Sequence, residues 1–201
     1  MNGRGWWLVW LGLAPVIFAQ EVPAPPRAWE YVIIHHSATS TGSAEMFAAN
    51  HRARGMVNGL AYHFVIDNGS AGTADGHIET GPRWLKQLHG GHCRQADVNE
   101  KGIGICLVGD FTERQPTARQ MDSLVVLIRG LQEQFNIPAD RVLGHGDVVG
   151  EYSECPGRAF PWAELRRQLE VVGAPFWARP ADSESSRPEG RAHEGERPVT
   201  R

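Results

Sequence analysis

The stretch Gly102-Ile-Gly-Ile-Cys-Leu-Val-Gly109 carries no charge and no proline and is bounded by glycine at both ends. A continuous apolar run of this length suits a strand covered on both faces, at the centre of a sheet. Other strands are predicted on either side of it in sequence. Tyr31-Val-Ile-Ile34 is a short β-branched run that suits a buried strand. Ala61 to Asp67 (AYHFVID) sets Tyr62, Phe64 and Ile66 against Ala61, His63 and Val65, and Asn68-Gly69 follows as a turn. Gly76 to Thr80 is placed to pair with it as a hairpin, and Arg141-Val-Leu143 is a further short strand ending at Gly144-His145.

Helices fall between these strands. Ser43 to Arg54 has Met46, Phe47 and His51 at helical spacing, with Gly55 to end it. Thr117-x-x-Gln120 is a capping box opening a long amphipathic helix to Phe135, and Pro161 suits the first turn of a last helix reaching about Val171. The mixture predicts an α/β (α+β) fold: a single domain with a central mixed β-sheet flanked by helices. No internal repeat is present.

The domain is expected over residues 29–173 of the 201. Before it, Arg4 and the apolar stretch Trp6 to Phe18 read as an export signal, residues 1–19, too short to span a bilayer. Ile17 makes the small-x-small pattern before the cut at Ala19 imperfect, and an uncleaved anchor or an apolar helix is the competing reading. Residues 20–28 form a Pro-rich linker, and residues 174–201, rich in Pro, Glu, Arg, Ser and Gly, read as a disordered tail. No cysteine follows the apolar stretch, so no lipid anchor is expected there. The chain is expected to be secreted, to periplasm or medium, without a stable membrane anchor after cleavage, and monomeric. A net charge of -3 gives no electrostatic footprint for nucleic acid.

Chemistry gathers at a few positions. Cys93, Cys106 and Cys155 are an odd number, leaving at least one thiol without an internal partner. His35 ends the first strand, His145 ends a later one, and Cys155 follows ten residues on. Two such histidines and a thiolate would make a three-ligand zinc site with the fourth position left for water. The residues alone leave other readings open: a strand-end histidine satisfied locally, or Cys155 paired with Cys93 or Cys106.

Four segments in order, YVIIHHSAT (31–39), LAYHFVID (60–67), GIGICLVGDF (102–111) and RVLGHGDVVGEYSECPG (141–157), resemble the amidase-2 family of N-acetylmuramoyl-L-alanine amidases, which includes the peptidoglycan recognition proteins. The resemblance spans about residues 30–165. It implies a zinc site in a groove at the sheet edge and a peptidoglycan substrate, cut between N-acetylmuramic acid and L-alanine. It places the metal ligands on His35, His145 and Cys155, all of them residues able to bind zinc. His36 competes for the first position, but adjacent strand residues face opposite sides, so only one of the pair can reach the metal. The resemblance also puts Tyr62 beside the reacting water or carbonyl, and His92, with Asn99 in the loop after it, along the substrate groove. Ser153 stands where many relatives carry Lys or Thr; its hydroxyl could donate to an oxyanion but brings no charge. Cys106 stands where some relatives have Glu, so no carboxylate base comes from that strand, and Glu154 is a nearby alternative. Two other functions compete: a peptidoglycan-binding module without catalysis, and a zinc peptidase acting on stem peptides.

Overall fold

A computed structural model describes residues 26–170. The expected export signal, all but the last three residues of the Pro-rich linker and the C-terminal segment lie outside the described residues. Among those described, no helix is long and apolar enough to cross a membrane.

Five strands form one mixed sheet: β1 (Tyr31–His36), β2 (Phe64–Asn68), β3 (Asp75–Thr80), β4 (Gly102–Leu107) and β5 (Val142–Gly144). Their order is β3-β2-β4-β1-β5. The apolar run beginning at Gly102 is the middle strand. β4 pairs in parallel with β1 and β2, β5 pairs in parallel with β1, and β3 closes the far edge antiparallel to β2.

β4 looks uniformly apolar but alternates. Ile103, Ile105 and Leu107 point to one face, where Val32, Ile34, Phe64 and Ile66 join them against helices α4 (Ala118–Phe135) and α5 (Trp162–Glu170). Burying each of these large side chains is worth about 1.5–3 kcal/mol, so this face carries most of the stability. The other face of β4 is small: Gly102, Gly104 and Cys106. Cys106, Val65 and Val108 pack there against Phe47 and Ala48 of α1 (Ala44–Ala53).

The caps explain where the helices start. Ser43 Oγ accepts from Met46 N at the head of α1. Thr117 and Gln120 form the expected reciprocal box at the head of α4, and Asn136 ends that helix in the left-handed conformation, φ 55°. Two short helices were not expected, α2 (Pro82–Leu85) and α3 (Ala96–Lys101), so Asn99 sits in a helix rather than a loop.

One strand begins later than expected. The pattern started it at Ala61, whereas β2 starts at Phe64. The reason lies in His63: its ring Nδ1 takes the Gly104 N–H at 2.9 Å, a donor that a strand carbonyl would otherwise occupy. The ladder with β4 therefore opens only at Phe64, opposite Ile105.

Candidate metal centre

β1 delivers His35 and His36 to opposite faces. His35 lies on the small-residue face beside Cys106, its register partner on β4, and is 2% exposed. His36 turns to the other side, where its Nδ1 accepts from Phe111 N at 3.1 Å and stands 3.8 Å from Asp110. The alternation argument thus separates the two rings.

His145 and Cys155 are ten residues apart and belong to no common element, yet the chain folds back to bring them together. Gly146 N donates to the Cys155 carbonyl at 2.7 Å. A side chain at Gly146 would overlap the Ser153 carbonyl, so only glycine permits the return. Ahead of it, Asp147 accepts from Gly144 N at 2.9 Å and holds the short turn His145–Asp147. Ser153 Oγ accepts from Cys155 N at 3.1 Å, which leaves the hydroxyl proton free to donate outward.

The outcome is a cluster in which one ligand atom each of His35, His145 and Cys155 lies within 4.8 Å of the others. His35 Nδ1 is 3.8 Å from Cys155 Sγ, and the His35 and His145 ring centroids are 4.6 Å apart. Two imidazoles and a thiol are a zinc donor set, and ligand atoms around a tetrahedral zinc stand roughly 3.3–3.8 Å apart. The cluster therefore fits zinc by chemistry and nearly by spacing.

Burial sets the protonation states. His35 is held well below the usual imidazole range by burial and by the neighbouring His92, His145 and His36, so it stays neutral with a lone pair to offer. Burial pushes the Cys155 thiol up to about 11, partly opposed by the His36 N–H that points at its sulfur from 3.3 Å. Binding a metal there must expel the thiol proton.

Tyr62 lies beside the cluster, its ring 5.1 Å from that of His35 and 5.6 Å from that of His51. Burial, Cys106 and Cys155 push its phenol well above the ordinary range, so it remains an O–H donor.

His92 and Asn99, expected along the substrate groove, are committed within the protein. His92 is buried under His35: its Nδ1 is 3.1 Å from His35 Nε2 and its Nε2 is 3.2 Å from the Gly102 carbonyl. Its ring lies against Gly104, where an added Cβ would stand 2.7 Å from its Cγ. Asn99 Oδ1 accepts from His92 N at 2.9 Å and Cys93 N at 3.0 Å, and its Nδ2 donates to Cys93 O at 2.7 Å. It clips the loop that carries His92. The face of β4 is hollow at Gly104, and the His92 ring fills the space.

Glu151 went unnoticed in the sequence. Its carboxylate is 2% exposed and stands 3.2 Å from His145 Nε2. Cys93 is near it; Cys93, His145 and Glu151 form another group of potential donors within 4.8 Å, as do His35, His92 and Cys93. Glu154, the sequence alternative, is exposed. All three cysteines are free among the described residues.

Known proteins resemble this chain in sequence and fold. The sequence pattern of the Amidase_2 family, described as N-acetylmuramoyl-L-alanine amidase, matches residues 25–158. A peptidoglycan recognition protein of Trichoplusia ni is 31% identical over 163 residues, covering 79% of this chain and 82% of its own. The solved structure of the N-acetylmuramoyl-L-alanine amidase LysC from Clostridium intestinale URNW superposes with a TM-score of 0.62 at 30% identity, over 75% of this chain and 93% of that one. Peptidoglycan recognition protein-LE, solved in complex with tracheal cytotoxin, a monomeric diaminopimelic acid-type peptidoglycan, superposes with a TM-score of 0.55 at 26% identity, over 74% and 85%. The pattern match covers most of the described residues, and this chain belongs to the N-acetylmuramoyl-L-alanine amidase family.

Proposed function

We propose that this protein is a secreted zinc amidase that hydrolyses the bond between N-acetylmuramic acid and L-alanine in peptidoglycan. The observation that carries the reading is the convergence of His35, His145 and Cys155 with the Tyr62 ring 5.1 Å from that of His35. His35, His145 and Cys155 would hold the metal. Zinc in such a site acts as a Lewis acid and lowers the pKa of bound water to about 7. Tyr62, kept protonated by burial, donates a hydrogen bond to the attacking water or the lactyl carbonyl. Ser153 Oγ, already accepting from Cys155 N, keeps its proton for the developing oxyanion. His92 and Asn99 act behind the site: His92 orients His35, and Asn99 fixes the loop that carries His92.

A second reading has its own support. Several relatives are named for peptidoglycan recognition, and several neighbours were solved with a peptidoglycan fragment, tracheal cytotoxin, bound. A recognition module would bind sacculi and release nothing. The test is mass analysis of material released from purified sacculi, with zinc quantified in the same preparation. Soluble stem peptides with a free L-alanine amine support the amidase; sacculi pulled down with no released peptide overturn it. Fragments cut between amino acids would point to a stem-peptide peptidase.

A further inference from the structure

We infer that Glu151 is a positioning residue that dictates which nitrogen of His145 meets the metal. The inference rests on the zinc reading above and deepens it.

A carboxylate that is 2% exposed needs partners for both oxygens, because burying an unpaired charge is costly. Glu151 Oε1 accepts from the backbone N–H of Arg94, and the Arg94 side chain, itself 75% exposed, reaches to 3.8 Å of Oε2. Oε2 is left facing His145 Nε2 at 3.2 Å. That nitrogen is fully enclosed and has no aligned hydrogen-bond partner among the described residues, so Glu151 is the group at hand. An ionised carboxylate only accepts, so at this distance it favours the tautomer with the proton on Nε2. A neutral imidazole carries one N–H, and its lone pair is then on Nδ1. Glu151 thereby selects Nδ1 as the ligand atom, the arrangement in which a carboxylate behind a ligating histidine fixes its tautomer and raises its basicity.

The placement of Glu151 is built. Gly150 lies so close to Gln95 that a Cβ would overlap its amide, and Glu151 N donates to Val148 O at 3.0 Å. The loop 148–151 is therefore seated on the loop 93–95, and Glu151 joins the two.

His35 has the same provision from a different residue type. Its Nδ1 faces Cys155, and its Nε2 is held from behind by His92. Each ligating histidine thus has one buried partner on the nitrogen turned away from the metal.

The test reads the tautomer directly. Long-range proton–nitrogen NMR of the zinc-loaded protein should show His145 protonated on Nε2 and metal-bound through Nδ1. Chelator competition should show zinc held 10–100-fold more weakly by Glu151→Ala. Glu151→Gln keeps one oxygen for Arg94 N and should fall between the two, with apo-protein melting unchanged from wild type. His145 bound through Nε2, or a Glu151→Ala protein that holds zinc as tightly as wild type, would overturn the inference while leaving the zinc reading intact. A wild-type protein that takes up no zinc would overturn both.

Discussion

His35 Nε2 stands 3.1 Å from His92 Nδ1, and His92 Nε2 stands 3.2 Å from the Gly102 carbonyl. The three groups form a consistent chain if each Nε2 carries the proton: His35 donates to His92, and His92 donates to the backbone. His35 Nδ1 is then the bare nitrogen, on the side of Cys155. Replacing His92 with Ala leaves a buried donor and a buried carbonyl without partners and opens a void against Gly104. We expect about 2–4 kcal/mol of lost stability and 10–100-fold weaker zinc binding. Urea unfolding and chelator competition check the two effects separately. Unchanged zinc affinity in a folded His92→Ala protein would leave the ring as packing only.

The histidine pair gives a sharper contrast. His35→Ala, His145→Ala and Cys155→Ala should each lose both zinc and turnover. His36→Ala should keep zinc, because its ring serves Phe111 N on the other face of the sheet. Metal analysis of the four purified variants decides the matter; zinc lost from His36→Ala and kept by His35→Ala would reverse the assignment.

Tyr62→Phe and Ser153→Ala should both keep zinc. The first removes a hydroxyl and preserves the ring, and turnover should fall by roughly a hundredfold or more, the usual scale for a lost transition-state donor. The Ser153 change should cost less. Ser153 Oγ also accepts from Cys155 N, so its removal should weaken zinc binding slightly as well. Turnover on a muramoyl-peptide, with zinc measured in each sample, is the readout. Full turnover in a zinc-loaded Tyr62→Phe protein would remove Tyr62 from the chemistry.

Two glycines should respond oppositely to alanine. At Gly104 a Cβ would overlap the His92 ring, and overpacking of this kind costs about 1–3 kcal/mol. At Gly130, inside α4, nothing lies within 4 Å of an added Cβ, and the helix gains about 0.5–1 kcal/mol. Melting temperatures of Gly104→Ala and Gly130→Ala should therefore move down and up from wild type.

Acid should destabilise the metal-free domain. Burial pushes His63 down to about 4 and His92 down to about 3, and it holds His35 well below its ordinary range. Asp67 opposes them, since burial and Glu79 raise it to about 6. The unfolded chain protonates its histidines near pH 6.5, whereas the folded chain keeps these three neutral. Their contribution is intact above pH 6.5 and is lost as pH falls toward 4. Below pH 6 the protonation of Asp67 in the folded state offsets one of the three. From these four groups unfolding then takes up a net two protons, a contribution of about 2.7 kcal/mol per pH unit to the slope. Urea midpoints of the apo-protein at pH 7.5, 6 and 5 measure it; a flat profile would mean that these rings are hydrated.

Much of the fold was legible along the chain because its rules are local. Strand alternation alone separates His35 from His36. The capping box at Thr117 and Gln120 marks the start of α4, since a helix end is satisfied by residues three apart. The apolar run 102–109 declares a central strand, because only a strand covered on both faces is free of polar residues.

The tertiary structure decided what depends on residues that are distant in sequence. Gly102 and Gly104 read as part of an apolar strand, but the His92 ring lies against Gly104, reaches the Gly102 carbonyl and stands behind His35. Phe64 rather than Ala61 begins β2 because the His63 ring takes the Gly104 amide proton, a competition between side chain and ladder that no propensity records. Glu151 is an ordinary loop glutamate in the sequence. Its weight comes from the Arg94 amide and the His145 ring, which meet it only after two loops 57 residues apart have packed together. Periodicity specifies which way a side chain faces; the closure of loops onto one another specifies what it finds there.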